Sequence, residues 1–360
     1  MKEKLNRLSK WMDGEEAYPL TIELNITNKC NLKCLSCWQR SAKMDYDYEL
    51  SDEKWMKIVK EAERIGVKEI RIPGSGEPMT RENLVLDIIN ETSQFGINTL
   101  LITNGTLFVE RTIKQMIGKI DNVTFSVDGP NSKINDYLRG KKGAFTRVTK
   151  TVKKFSLWKN RLKNEKPFLR LNVVINNKNY DKLYLMIKLA HDLGCGAVSF
   201  QPMTIFSKFG EDLKLNENQL NEFPTHIKQG IKISKEYGIF TNLNEFMKVE
   251  SKNSNEMDKL IDEVTKDIKT PFLSSPCFEP WYNLIIMPNG SVGPCSVSGG
   301  NGENIRRKTI KQIWFGKYFN EIRKKLISKN LFHFCKSCCV PVFEENKKLR
   351  QELMIYDNKK

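Results

Sequence analysis

Thr21-Ile22-Glu23-Leu24-Asn25-Ile26-Thr27-Asn28-Lys29-Cys30-Asn31-Leu32-Lys33-Cys34-Leu35-Ser36-Cys37-Trp38 decides how the rest of the chain is read. Residues 21–26 form a strand-like apolar run, and Cys30-x-x-x-Cys34-x-x-Cys37 follows at once. A strand therefore delivers three thiols to one loop. Three thiolates this close can hold three irons of a cubane and leave the fourth iron open. Iron–sulfur clusters usually take four thiolates, and a structural zinc site usually takes four protein ligands. The missing fourth ligand is the informative feature, because an open iron accepts an exchangeable small molecule.

Outward from this stretch the strand pattern repeats. Apolar runs recur at residues 69–73, 98–103, 122–127, 170–175 and 197–201, with helical periodicity between them. Ser51-Asp52-Glu53 opens one helix that runs to Ile65 and stops at Gly66; another spans 180–193 and stops at Gly194. Such alternation predicts a parallel sheet with helices outside. Six units are too few for a closed eight-strand barrel, so the expected fold is α/β, a partial (β/α)6 TIM-like barrel over residues 1–204. Residues 205–270 read as a charged helical linker or wrap. Residues 271–345 read as a small α+β cysteine-rich domain, with a hairpin at 282–294 turning through Pro288-Asn289-Gly290 and a helix at 310–328. Residues 346–360 read as a charged tail.

The 360 residues, 39% of them hydrophobic, suffice for one large α/β domain of roughly 200–250 residues and a smaller one. The polar start Met1-Lys2-Glu3-Lys4-Leu5-Asn6-Arg7 has no apolar h-region of a secretory signal. The apolar run 284–287 is far too short for a membrane span. A cytoplasmic protein without a membrane partner is expected. The formal charge of +16 is dominated by lysine. No basic stripe interleaved with aromatics is present, so solvated helix faces are the expectation and nucleic acid is not an expected partner.

Nine cysteines in a reducing compartment are not expected to pair as disulfides. Clustered thiols there bind metal. Beyond the first loop, Cys277, Cys295, Cys335, Cys338 and Cys339 gather in the last quarter. Cys277, Cys295, Cys335 and Cys338 can enclose one complete cubane, and four thiolates suit a zinc ion as well. Cys195, in Gly194-Cys195-Gly196 ahead of the sixth strand, falls at the bottom of the barrel and reads as a buried structural thiol.

Cys30, Cys34 and Cys37 match the signature spacing of the radical S-adenosylmethionine (SAM) superfamily, which the chain resembles over most of its length. Supporting motifs fall at the C-terminal ends of successive strands, where parallel α/β folds place their sites. Pro73-Gly74-Ser75-Gly76-Glu77-Pro78 resembles the family's Gly-Gly-Glu-Pro loop, with Ser75 in place of its first glycine. Thr103-Asn104-Gly105-Thr106 and Ser126-Val127-Asp128-Gly129, followed by Arg139, continue the pattern. The resemblance implies a 4Fe-4S cluster on the three cysteines with SAM on its open iron. It implies SAM contacts from Ser75, Gly76, Glu77 and Asn104, a carboxylate site at Ser126 and Arg139, and a ribose contact at Asp128. The family's aromatic before the third cysteine is here Ser36, with Trp38 after it.

Cys277…Gly290…Cys295 followed by Cys335-x-x-Cys338 resembles the auxiliary-cluster region called SPASM, or its shorter form, twitch. With only Cys339 beyond Cys338, one auxiliary 4Fe-4S cluster is expected, and Cys339 is an alternative ligand, a free thiol or a hydrogen donor. The resemblance implies an oxidoreductase of dehydrogenase or epimerase type, acting on a sugar-like or cyclitol small molecule, with an external electron donor such as flavodoxin or ferredoxin. The alternative substrate is a ribosomally made peptide, to be crosslinked, epimerised or decarboxylated. About twenty residues precede the first strand, too few for a leader-binding domain, which favours the small molecule. The non-enzyme alternative is a metal-binding or electron-transfer module.

Overall fold

The computed structural model describes residues 1–40, 48–205, 207–247, 265, 268, 270–300, 302–338 and 340–357. Helix α1 (Lys2–Met12) precedes a sheet whose first six strands are β1 (Thr21–Leu24), β2 (Glu69–Ile72), β3 (Asn98–Thr103), β4 (Asn122–Ser126), β5 (Phe168–Val174) and β6 (Ala197–Gln201). Each pairs in parallel with the next. The crossovers carry α2 (Asp52–Arg64), α3 (Glu82–Gln94), α4 (Glu110–Met116), α5 (Ser132–Arg139), α6 (Ala144–Arg161) and α7 (Leu183–Asp192). This is the expected open, partial barrel.

Local chemistry explains the elements. The Ser51 hydroxyl accepts from the Lys54 N–H at 3.3 Å, capping α2, and Asp52 and Glu53 complement the helix dipole. Trp55, Ile58, Val59 and Ala62 bury one stripe of that helix against the sheet. On β5 the alternation is direct. Leu169, Leu171 and Val173 enter the core under the helices, whereas Asn172 and Val174 line a cavity on the other face.

Four elements differ from their sequence reading. The segment expected to be wholly helical contains α8 (Lys208–Glu211), α9 (Glu217–Glu236) and α10 (Leu243–Phe246), but also β7 (Phe240–Thr241), a further parallel strand beside β6. The hairpin is present as β8 (Asn283–Ile286) and β9 (Val292–Gly293), paired antiparallel. It is not confined to a separate domain: β8 also pairs in parallel with β1, which would otherwise present a bare edge. The sheet order is β7-β6-β5-β4-β3-β2-β1-β8-β9.

The expected helix at 310–328 is broken at Phe315-Gly316 into α11 (Ile310–Trp314) and α12 (Lys317–Ile327). The break lets the Trp314 indole N–H donate to Ala17 O at 2.7 Å while Arg323 donates to Trp314 O at 2.8 Å. The expected charged tail belongs to α13 (Val340–Asp357), whose Leu349, Arg350 and Leu353 are buried. Leu349 and Leu353 meet Leu8, Phe278, Trp281 and Leu326 in a second apolar cluster. Lys4 of α1 pairs with Glu345 of α13 at 2.7 Å. No described helix is long and apolar enough to cross a membrane.

Candidate active site

The loop after β1 is strapped to its neighbours by backbone contacts. Gly76 donates to Thr27 O and Glu77 to Lys29 O, each at 2.8 Å, and Leu35 donates to Leu138 O at 2.9 Å. The approach at Gly76 is so close that a Cβ there would lie 2.2 Å from Lys29 O. Thr27 and the Asn28 N–H both donate to the Glu49 carboxylate, and Arg40 donates to Cys34 O and Lys33 O. The three-cysteine loop is thus set by β1, the glycine loop after β2 and the end of α5.

Cys30, Cys34 and Cys37 line one cavity of about 660 Å3, together with Ser75, Gly76, Glu77, Asn104, Ser126 and Arg139. Six of the seven residues expected to contact SAM therefore share a wall with the three thiols. Ser36 and Trp38 lie on it too, as do Asn172 and Val174, which the sequence reading did not single out. A polar residue at an inward position of an apolar strand, Leu171-Asn172-Val173, was the signal for Asn172.

Asp128, expected at the ribose, is placed differently. Its carboxylate is 3% exposed and does not line the cavity. One oxygen lies 2.9 Å from Arg139 Nη2, and the other accepts from the Val174 N–H at 2.9 Å. Asp128 orients Arg139. Burial works against the guanidinium charge, but Asp128 and the Cys34 sulfur outweigh it and hold its pKa above the usual value. Arg139 Nη1 lies 3.8 Å from Cys34 Sγ, and its Nε is buried with no hydrogen-bond partner.

Glu77 is 2% exposed. It accepts from Thr103 Oγ1 at 2.6 Å, the Met79 N–H at 3.1 Å and the Asn104 N–H at 2.7 Å, locking the β2 and β3 loops together. Burial nonetheless pushes its carboxyl above the ordinary range. Asn104 donates to Asn31 Oδ1 at 2.8 Å, tying the β3 loop to the cysteine loop.

The donor chemistry fits an iron–sulfur cluster. Partial burial raises the Cys37 thiol above its usual value. Such thiols are poor free nucleophiles and become thiolates when a metal displaces the proton. A cubane takes one thiolate per iron, so three thiolates leave its fourth iron open.

The second cavity, of about 140 Å3, is lined by Cys277, Cys295, Cys335 and Cys338, with Glu23, Arg71 and Glu279. Burial, then Glu279, then Cys338 and Cys295 drive the Cys277 thiol far up. Ser298 donates to Cys295 O at 2.6 Å, and the Cys338 N–H donates to Cys335 O at 3.1 Å. Cys339 lies outside the described residues. Cys195 is buried between α7 and β6, 4% exposed and away from both cavities; burial raises its thiol to about 12. Cys30, Cys34, Cys37, Cys195, Cys277 and Cys295 form no disulfide.

Comparison with known proteins agrees with this division. The radical SAM superfamily model matches residues 24–157, and SPASM, an iron–sulfur cluster-binding domain, matches residues 277–339. The AdoMet-dependent heme synthase of Methanosarcina barkeri is 29% identical over 180 residues, 50% of this chain and 49% of that protein. The antilisterial bacteriocin subtilosin biosynthesis protein AlbA of Bacillus subtilis is 25% identical over 341 residues, 92% of this chain and 65% of that protein. The chain thus spans only about half and just under two thirds of these relatives. Streptococcus suis SuiB bound to precursor peptide SuiA superimposes with a TM-score of 0.65 at 19% identity, over 89% of this chain and 70% of that one. Native anSMEcpe with bound AdoMet gives 0.61 at 17% identity, over 93% and 96%. At these identities the likeness is one of fold. Because one family match begins on the strand that carries the three-cysteine loop and the other begins and ends on cysteines of the second group, the chain belongs to the radical SAM superfamily in its SPASM-type subgroup, with SAM and two 4Fe-4S clusters as cofactors.

Proposed function

We propose that this radical SAM enzyme modifies a ribosomally made peptide by crosslinking, epimerisation or decarboxylation. The observation that carries the reading is the alignment with the subtilosin biosynthesis protein over 92% of this chain. The fold shared with SuiB, a protein solved on its precursor peptide, supports it further. The sugar or cyclitol substrate expected from the sequence has no comparable support and gives way to the peptide.

The residues divide the work as follows. Cys30, Cys34 and Cys37 hold the first cluster, and Cys277, Cys295, Cys335 and Cys338 the auxiliary one. Arg139, aimed by Asp128, faces the SAM carboxylate together with Ser126; a planar guanidinium suits a carboxylate. Gly76 leaves room for the cysteine loop, while Ser75 and Asn104 offer polar groups to the methionine end. Bound there, SAM and the first cluster would supply radical chemistry for taking a hydrogen atom from the substrate. A cluster held by Cys277, Cys295, Cys335 and Cys338 would supply an electron conduit or acceptor, with a flavodoxin or ferredoxin as the outside donor.

Coexpression with candidate short precursor peptides, including any open reading frame found beside its gene, tests the reading by mass spectrometry. The expected result is a SAM-dependent change in one peptide: loss of two hydrogens, loss of carbon dioxide, or deuterium uptake from heavy water. Oxidation of a sugar alcohol with every peptide unchanged would restore the small-molecule reading.

A further inference from the structure

Two charged residues interrupt the apolar pattern of the first strands, Glu23 in Thr21-Ile22-Glu23-Leu24 and Arg71 in Glu69-Ile70-Arg71-Ile72. The register of β1 and β2 sets them side by side. Ile22, Leu24, Ile70 and Ile72 enter the core under the helices, so Glu23 and Arg71 point to the other face of the sheet. That face carries both cysteine cavities. Pro73, two residues beyond Arg71, lines the first, and Glu23 and Arg71 themselves line the second beside its four thiols.

These charges are held in place. Arg71 Nη1 lies 3.5 Å from Glu23 Oε1, and Arg71 Nε donates to Glu69. Glu23 is 7% exposed, and a carboxylate so buried needs such a partner. On the same wall, Glu279 is fixed by the Tyr282 hydroxyl and by Asn283, which donates to Oε2 at 3.0 Å. The Glu279 N–H lies 3.4 Å from Cys277 Sγ. Glu345, half-buried and paired with Lys4 at 2.7 Å, completes the acidic side. Three carboxylates thus share the lining with the thiols, and Arg71 is the one cation among its described residues.

We propose that Arg71, held by Glu23 and Glu69, sets the reduction potential of the auxiliary cluster, raising it so that the cluster takes up an electron despite its acidic wall. An electron added to a thiolate-held cubane adds negative charge. The carboxylates of the lining oppose that charge, and a cation on the same wall favours it. Net charge and surroundings are what spread the potentials of such clusters. Arg71 is a positioning residue, since it acts through the cluster and takes no part in bond making. The inference rests on the four-cysteine site and holds whichever substrate the enzyme takes.

A redox titration followed by electron paramagnetic resonance tests this on the full chain, reconstituted anaerobically. The serine triple variant at Cys30, Cys34 and Cys37 is the background, so that only the auxiliary cluster reports. A unit charge about 10 Å away, at an effective dielectric of about 20, changes the reduced-to-oxidised ratio by about tenfold, which is about 59 mV for one electron. Arg71→Gln should lower the potential by that order, and Arg71→Lys, which keeps the charge, should return it toward the parent value. Glu345→Gln, at a half-buried position, should move it the opposite way. Shifts that sort by charge in this manner uphold the role, because a merely disturbed wall would not sort them. Equal potentials in Arg71→Gln, Arg71→Lys and the parent, or shifts of one sign in Arg71→Gln and Glu345→Gln, would overturn it while leaving the cluster in place. If Arg71→Gln loses its iron, Arg71→Lys decides: a filled cluster near the parent potential upholds the role of the charge, and an empty site makes Arg71 structural. A background variant without iron removes the four-cysteine site and the role of Arg71 with it.

Discussion

Arg139 is held from two sides before any ligand arrives, by Asp128 at 2.9 Å and by Cys34 Sγ at 3.8 Å. A guanidinium fixed this way pays little ordering entropy when it meets a carboxylate. Arg139→Ala is therefore expected to weaken SAM binding by about 1–3 kcal/mol, the range for a charge-assisted hydrogen bond, with iron content unchanged; equilibrium dialysis against labelled SAM checks it. Asp128→Asn should weaken binding less, because the arginine stays but loses its aim. The serine triple variant at Cys30, Cys34 and Cys37 should yield no 5′-deoxyadenosine above a no-enzyme control, since a hydroxyl replaces thiolate poorly at iron. Cys195→Ala, in contrast, should cost about 1 kcal/mol of core packing and leave iron and turnover intact. The cysteine spacing made the three-thiol loop legible in the sequence because its residues are local. Asp128 was misread because its partners, Arg139 and the Val174 N–H, are distant in sequence, and an Asp-Gly pair reads alike as turn or ligand.

Among the elements, the strands were legible wherever apolar runs alternate with capped helices, as with Ser51 ahead of α2. What escaped was what periodicity carries weakly. β7 has only two residues. The break between α11 and α12 falls inside a continuous amphipathic pattern, and only tertiary contacts at Trp314 and Arg323 decide it. The apolar pair of α13, Leu349 and Leu353, is hidden among charges. The glycine loop after β2 lends itself to a paired test. Gly76→Ala puts a Cβ 2.2 Å from Lys29 O, so the cysteine loop must move. Gly96, at φ +65°, has nothing within 4 Å of the same construction. Gly76→Ala should lower SAM cleavage about tenfold or more, as loss of an aligned site does. Gly96→Ala should cost only about 1 kcal/mol of backbone strain and keep activity. Cleavage rate and thermal unfolding, measured on both, separate the two effects.

At the scale of the molecule, the two cysteine groups are built on different supports. The first hangs on β1, the β2 loop and α5. The second depends on a loop that α13 clamps: Arg350 donates to Leu273 O at 3.0 Å and to Ser275 O at 2.6 Å, and Asn346 accepts from the Phe278 N–H at 2.6 Å. Losing the first set should therefore leave the second able to fill. The serine triple variant, reconstituted anaerobically, is expected to keep about four irons, the content of one cubane, with a reducible signal by electron paramagnetic resonance. Four protein ligands leave no iron open, so that cluster should cleave no SAM. Adding Arg350→Met strips the donor from two carbonyls beside Cys277. Each buried acceptor left bare costs about 1–3 kcal/mol, so iron in this background should fall toward zero, while in the parent it should fall only by the auxiliary share. Equal iron loss from both sites would mean that α13 supports the whole fold rather than the second loop. One equivalent of zinc and no iron in the triple variant would make the second site structural, and peptide epimerisation, which needs no net electron acceptor, would then be the better form of the proposed reaction.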